Sequence, residues 1–128
     1  MRIPIHWSFF FAHLRAATAL ADRAALELDA QYENSGDAAQ RAKVTAEDRG
    51  HVAEWVASVK VAATDTALRV TSGVFEVTGA RATASKVGLD RFWRDVRTHT
   101  LHDPVAYKNR ELGRYQLLGE IPTPTWYT

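Results

Sequence analysis

The segment 88–104 concentrates residue types that can do acid–base or ionic chemistry. It holds three arginines, three aspartates, two histidines and two aromatic residues, and it ends at Pro104. Histidine can hold or relay a proton near neutral pH, which suits proton transfer to or from a reacting group. Arg91, Arg94 and Asp95 stand at helical spacing, so ion pairs along one helix account for part of this density.

The two histidines lie one helical turn apart, and each has more than one interpretation. His102 could handle a proton, or it could cap a helix end by hydrogen bonding to the last carbonyls. His99 could assist, although packing or capping is the simpler role. Asp103 could orient His102, and capping the next helix is the favoured alternative. A metal site of His99, His102 and Asp103 has no apparent fourth ligand, so no metal is predicted.

The composition bounds the kind of protein that carries this segment. The chain has 128 residues, 46% of them hydrophobic and 24% charged, with a net charge of +1 and no cysteine. Disulfides, thiolate catalysis and zinc–thiolate sites are excluded, and no charge excess favours nucleic acid or membrane partners. The apolar start around Trp7–Leu14 is too short for a membrane span. A cytoplasmic location is expected.

A long first helix is predicted from Ile5 to about Tyr32, ending near Gly36. Its hydrophobic positions alternate spacings of four and three, which is typical of one face of a helix. An exposed loop is expected from there to Val44. The stripe consists of Trp7, Phe11, Leu14, Thr18, Ala21, Ala25, Leu28 and Tyr32.

A second long helix is predicted from Thr45 to about Gly79. Thr45 and Asp48 have the spacing of a capping box, in which each side chain bonds the other residue's backbone N–H. Gly73 either weakens this helix or permits close contact with a partner. Its stripe consists of Val52, Val56, Val59, Ala63, Ala67, Val70, Val74 and Val77, and we expect it to face the stripe of the first helix.

The remaining chain predicts a loop over 80–88 and two shorter helices. One runs from Asp90 to Leu101, and the other has Pro104 in its first turn and runs to about Leu118. The tail over 121–127 is expected to be extended because it contains two prolines. The predicted fold class is therefore all-α, an antiparallel helical bundle in one domain.

Two motifs carry a resemblance to a known family. The run Arg91-Phe92-Trp93-Arg94-Asp95-Val96-Arg97 is similar to a pattern near the C-terminus of acyl-CoA dehydrogenases. Upstream, the segment 76–81 stands where those enzymes carry a glutamine and a glycine pair. In them this turn reaches the flavin bound by a neighbouring subunit.

The departures from that pattern indicate a particular group within the superfamily. His102-Asp103-Pro104 stands where many dehydrogenases have tyrosine–glutamate–glycine, whose glutamate abstracts the substrate α-proton. Aspartate is one methylene shorter and would miss that proton. The segments 98–104 and 72–81 instead resemble the dibenzothiophene monooxygenases, which are two-component oxygenases that use reduced FMN supplied by a separate reductase.

The resemblance implies roles for three residues. His102 is the implied catalytic residue, holding or relaying a proton beside the reactive edge of the flavin. Arg81 is implied to reach the FMN phosphate of an adjacent subunit, a task that suits its planar fork. The alternative for Arg81 is a solvated loop arginine. Phe75 is implied to contact the cofactor region, and filling the core is its alternative.

The resemblance also implies an incomplete enzyme. Relatives of this kind have an N-terminal helical domain, a middle β-domain and a C-terminal four-helix bundle, and residues 1–128 resemble that bundle without its first helix. The chain alone is expected to be inactive. Implied partners are further copies in a homo-oligomer (a tetramer in the family), a flavin reductase and a small organic substrate, with organosulfur compounds as the nearest analogy. The alternatives are a piece of an acyl-CoA dehydrogenase and a non-catalytic helical oligomerisation module.

Overall fold

The computed structural model describes residues 5–33 and 37–123, and the regular structure within those ranges is entirely helical. The all-α prediction is therefore confirmed. Helix α1 spans Ile5–Glu33, α2 spans Ala38–Arg41, α3 spans Ala46–Thr78, α4 spans Asp90–His102 and α5 spans Val105–Leu118; a 3-10 turn covers Ala80–Thr83.

Helix α3 is the centre of the molecule, because α1, α4, α5 and the 3-10 turn all pack against it. Helix α1 runs antiparallel to α3. Phe10 near its start lies against Gly73, and the Gln31 amide near its end donates to the Asp48 carbonyl. Helices α4 and α5 together also run antiparallel to α3. His51, near the start of α3, lies against Tyr115 of α5, whereas Lys60, further along α3, contacts His99 of the preceding helix α4. The antiparallel bundle is thus confirmed.

The start of α3 is fixed by the predicted capping box. The Thr45 hydroxyl accepts from the Asp48 N–H at 3.1 Å, and the Asp48 carboxylate accepts from the Thr45 N–H at 2.9 Å. The Thr45 hydroxyl also donates to Oδ2 of Asp48 at 2.7 Å. This hydrogen bond, together with the one from the Thr45 N–H, holds the pKa of the Asp48 carboxyl below its usual range. Two backbone donors that the first helical turn cannot satisfy by itself are therefore paired.

Gly73 allows α1 and α3 to approach closely. An added β-carbon at this position would stand 2.5 Å from Cζ of Phe10, whose side chain is only 6% exposed. The prediction that Gly73 permits a close contact is therefore confirmed. Its partner is the Phe10 ring of this same chain.

The predicted pairing of the two hydrophobic stripes is wrong. Trp7 and Phe11 are 50% and 60% exposed, whereas Phe10 and Ala24 are buried. Helix α1 thus packs through the neighbouring face, where small alanines let the two helices come close. On α3, the predicted stripe residues Val56, Val59, Ala63 and Ala67 line a groove beside α4 instead.

Several boundaries differ from the sequence-based expectation. The short helix α2 lies in the predicted loop before Thr45, and the 3-10 turn with buried Ala82 lies in the predicted 80–88 loop. Pro104 is the N-cap of α5 rather than part of its first turn. The tail is non-helical over 119–123, with Ile121 against Gly50. The expected break at Gly36 and the tail from residue 124 lie outside the described residues.

None of the helices in the described ranges is long and apolar enough to cross a membrane.

Candidate functional site

His102 is the last residue of α4, and its side chain is exposed. Within the described part of the chain, no hydrogen bond from its imidazole to a helix carbonyl is formed. The ring therefore remains accessible to a ligand, as proton transfer requires.

Asp103 follows at the C-cap position of α4, with φ −122° and ψ 94°. Its Oδ1 atom is buried and, among the described residues, has no hydrogen-bond partner. The favoured capping role of Asp103 is wrong, because Pro104 occupies the N-cap position of α5 and no side chain bonds that helix start. The extended backbone of Asp103 agrees with its place before proline, since Pro104 disfavours a helical conformation there.

Lys60 of α3 holds the last turn of α4 in place. Its Nζ donates to the His99 carbonyl oxygen at 3.1 Å and lies 3.5 Å from Nε2 of the same residue. An ammonium group has donors only, so this ring nitrogen accepts when it takes part. Sequence patterns did not indicate Lys60, because a single lysine in a long helix normally faces solvent.

A groove of about 550 Å³ runs between α3 and α4, and Lys60 and His99 are among the residues that line it. Its floor is apolar, and its polar groups come from Lys60, Asp95, His99 and two threonines. His99 lies in the lining, whereas His102 is one turn further along α4. The lining residues are Val56, Val59, Lys60, Ala63, Thr64, Ala67, Asp95, Val96, His99 and Thr100.

Phe75 lies in the last turn of α3, and Arg81 lies in the 3-10 turn that follows it. Gly79 ends that helix with φ 77°, a conformation that favours glycine, and its N–H donates to the Phe75 carbonyl at 2.8 Å. Arg81 follows in the 3-10 turn with an exposed side chain, and Phe75 is half-buried. The exposed guanidinium of Arg81 is available to bind an anionic group.

The structure does not bring His102 and Arg81 together. His102 lies one helical turn after His99, which Lys60 contacts. Arg81 follows the end of α3, which is at Thr78. The rise of about 1.5 Å per helical residue separates Lys60 from Thr78 by about 27 Å. The implied catalytic residue and the implied phosphate ligand thus stand at opposite ends of the α4 interface.

The described residues contain no group of three histidine, cysteine, aspartate or glutamate side chains able to hold a metal ion. His99, His102 and Asp103 therefore do not converge as a ligand set.

Comparisons with known proteins agree on one kind of relative. The model of the acyl-CoA dehydrogenase C-terminal domain matches residues 9–106. A dibenzothiophene monooxygenase of Mycolicibacterium goodii is 49% identical over 115 residues, which is 90% of this chain and 26% of that protein. A probable FMNH2-dependent monooxygenase of Pseudomonas putida is 41% identical over 123 residues, which is 96% of this chain and 30% of that protein.

A solved structure shows the same fold. The FMN-bound crystal structure of TdsC, a dibenzothiophene monooxygenase of Paenibacillus sp. A11-2, superposes with a TM-score of 0.84 and 45% identity. The match covers 95% of this chain and 29% of TdsC. The chain thus spans less than a third of the length of these relatives.

Proposed function

This chain belongs to the acyl-CoA dehydrogenase C-terminal domain family, and from that premise we propose that it is the helical C-terminal part of a reduced-FMN-dependent monooxygenase. In this proposal the other domains of a longer polypeptide supply most of the flavin and substrate pocket. The enzyme inserts one atom of molecular oxygen into a small organic substrate. The oxygenase relatives, whose names include organosulfur substrates and FMNH2, support both the reaction and the substrate class.

The exposed imidazole of His102 is the observation on which the catalytic role rests. Reduced FMN, when bound, supplies the electrons that activate oxygen. His102 holds or relays a proton beside it, near neutral pH, from a rigid helix end. The contact from Lys60 to the His99 carbonyl fixes that end of α4 against α3 and limits its movement.

Arg81 and Phe75 fit a cofactor-binding role, at a flavin other than the one that His102 of the same chain serves. An exposed guanidinium can grip phosphate oxygens with two parallel N–H donors, and the half-buried Phe75 ring can meet the apolar part of the ligand. The separation of about 27 Å along α3 explains why these residues and His102 of one chain would serve different flavins. Each complete site then takes residues from two copies.

A homo-oligomer follows from that arrangement, and the surface of α1 supports it. Trp7, Phe11 and Leu14 form an apolar stripe, and each is about half exposed. Contiguous exposed apolar surface of this kind favours association. We propose a tetramer by analogy with the family, together with a separate flavin reductase that supplies the reduced cofactor.

A chimera tests the proposal. This chain replaces the matching segment of the M. goodii dibenzothiophene monooxygenase, and oxygenated product and hydrogen peroxide are both measured. We expect the chimera to oxygenate its substrate. His102→Ala should shift the output from product toward peroxide, with FMN affinity retained. Arg81→Ala should weaken FMN binding by about 1–3 kcal/mol, the value of a lost charge-assisted contact.

Two matched variants control for general damage. His13→Ala removes a histidine of α1, and Arg110→Ala removes an exposed arginine of α5. Both should leave the product-to-peroxide ratio and FMN affinity unchanged. An unchanged ratio and turnover in His102→Ala would show that His102 has no catalytic role.

A further inference from the structure

The apolar stripe of α1 has the spacing of a coiled-coil seam. Its positions alternate steps of four and three residues, an average of about 3.5, which is the repeat that two supercoiled helices share. The described positions of the stripe are Trp7, Phe11, Leu14, Thr18, Ala21, Ala25 and Leu28. Phe10 and Ala24, by contrast, belong to the buried face of α1. Helix α1 therefore keeps a second packing face that α3 does not use.

Side-chain size changes along this stripe. Its first three members are large, the next three are small (a threonine and two alanines), and the stripe then returns to Leu28. Two parallel copies would crowd large side chains at one end and leave the small positions poorly filled. Two antiparallel copies, related by a two-fold axis midway between residues 18 and 21, set Leu14 against Ala25 and Phe11 against Leu28. The antiparallel arrangement therefore fills the contact more evenly, as packed helices require.

The charges beside the stripe also match in this orientation. Arg15 and Asp22 each follow a stripe position by one residue, so they share one flank, opposite the flank of Phe10 and Ala24. Both are exposed, and the Arg15 guanidinium carbon stands 4.8 Å from the Phe11 ring centre, beside the stripe. In the antiparallel pair, Arg15 of each copy would lie within roughly 3 Å, measured along the helix axis, of the level of Asp22 of the other copy. The two-fold axis forms this contact twice, whereas a parallel pair would set arginine against arginine.

We infer that α1 pairs antiparallel with α1 of a second copy of this chain, through the stripe and two Arg15–Asp22 ion pairs. This contact rests on the homo-oligomer of the proposed function, and it gives that assembly one surface, one orientation and one register. Flavin takes no part in the contact, so the 128-residue chain alone is enough to test it.

Reversal of charge tests the register. The dissociation constant is measured by analytical ultracentrifugation for the unchanged chain, Arg15→Glu, Asp22→Arg and the variant with both changes. Each single change sets like charges against each other at two places, so we expect the dissociation constant to rise about tenfold. The double variant restores both ion pairs with the charges exchanged, and it should associate as the unchanged chain does. Arg110→Glu, at an exposed position on α5, is the matched control and should leave association unchanged.

A single label tests the orientation. The chain has no cysteine, so Ala30→Cys gives one attachment point for a nitroxide, at an exposed position of α1. In the antiparallel pair the two labelled residues would stand about 30 Å apart along the helix axis, because each lies about ten residues beyond the two-fold axis. In a parallel pair they would stand level with each other. Electron–electron double resonance measures the distance between the labels, and we expect the long one.

An unchanged chain that stays monomeric up to millimolar concentration would overturn the pairing. So would single variants that associate as tightly as the unchanged chain, a double variant that fails to regain association, or labels that lie close together. An oligomer that none of these changes affects would overturn this contact and leave the homo-oligomer in place. The oxygenase reaction is tested separately, by the chimera.

Discussion

Gly73→Ala tests whether the Phe10 contact holds α1 against α3. Alanine in a helix interior is favoured over glycine by about 1 kcal/mol, so the substitution alone should stabilise α3. Here, however, the new methyl group would stand 2.5 Å from Cζ and 2.9 Å from Cε1 of Phe10. Overfilling a packed contact costs about 1–3 kcal/mol, because the ring must move from its buried position. The net expectation is a loss of up to about 2 kcal/mol.

Gly113→Ala is the matched control, since Gly113 lies inside α5 and an added β-carbon there meets nothing within 4 Å. It should gain stability from helix propensity alone, by about 0.5–1 kcal/mol. Urea unfolding followed by circular dichroism at 222 nm measures both variants. A further variant, Phe10→Leu combined with Gly73→Ala, should recover part of the loss because the smaller side chain makes room.

If the packing is as described, Gly113→Ala should stabilise the chain and Gly73→Ala should not. Equal stabilisation by Gly73→Ala and Gly113→Ala would refute the reasoning, because it would mean that the Phe10 ring does not rest on Gly73.

Three further predictions concern the helix start, the buried carboxylate and the exposed stripe. Thr45→Ala should lower the free energy of unfolding by about 1 kcal/mol in urea titrations. The unchanged chain should be more stable than Asp48→Asn at neutral pH, and this difference should disappear as the pH drops through the lowered pKa of Asp48. Glu54 of α3 is only 5% exposed, and burial raises its pKa. The folded chain therefore binds the proton more tightly than the unfolded chain, so the stability of the unchanged chain relative to Glu54→Gln should rise as the pH falls towards the usual carboxyl range. A loss of relative stability over that fall would contradict the burial argument. Phe11→Glu should reduce the mass measured by light scattering, because it places a charge on the apolar stripe of α1, and an unchanged mass would show that this stripe is not the contact between copies.

The sequence predicted the start of α3 because a capping box is a local signal. Thr45 and Asp48 need only each other and the backbone between them, so no distant contact decides the outcome. The lengths of the two long helices were also predicted, because hydrophobic residues that recur at helical spacing over many turns indicate a helix even where single positions depart from the pattern.

The packing face of α1 was not predictable from periodicity. Apolar residues occur on both candidate faces, with Trp7 and Phe11 on one and Phe10 and Ala24 on the other. The choice depends on α3, where Gly73 leaves a recess that the Phe10 ring fills. A contact between two segments that are far apart in the chain cannot be recognised from the spacing of residues within one helix.

The candidate site was predictable only in part. The segment around His102 was visible from its residue types, and the family resemblance assigned it a role that stays a prediction. Lys60 and Glu54 gave no signal, because each is a single charged residue in a long helix and becomes notable only through its neighbours. Asp103 was assigned a cap wrongly, since the rigid ring of Pro104 takes the position that a capping side chain needs.

The placement of α3 at the centre has a consequence for how the molecule opens. Helix α1 and the α4–α5 arm attach mainly to α3, each through an interface of its own. Either can then detach for a moment while the other stays in place, so local unfolding divides into two largely independent units. The amide protons of α3 are shielded by both units, and they are expected to exchange with solvent only after the whole chain has come apart.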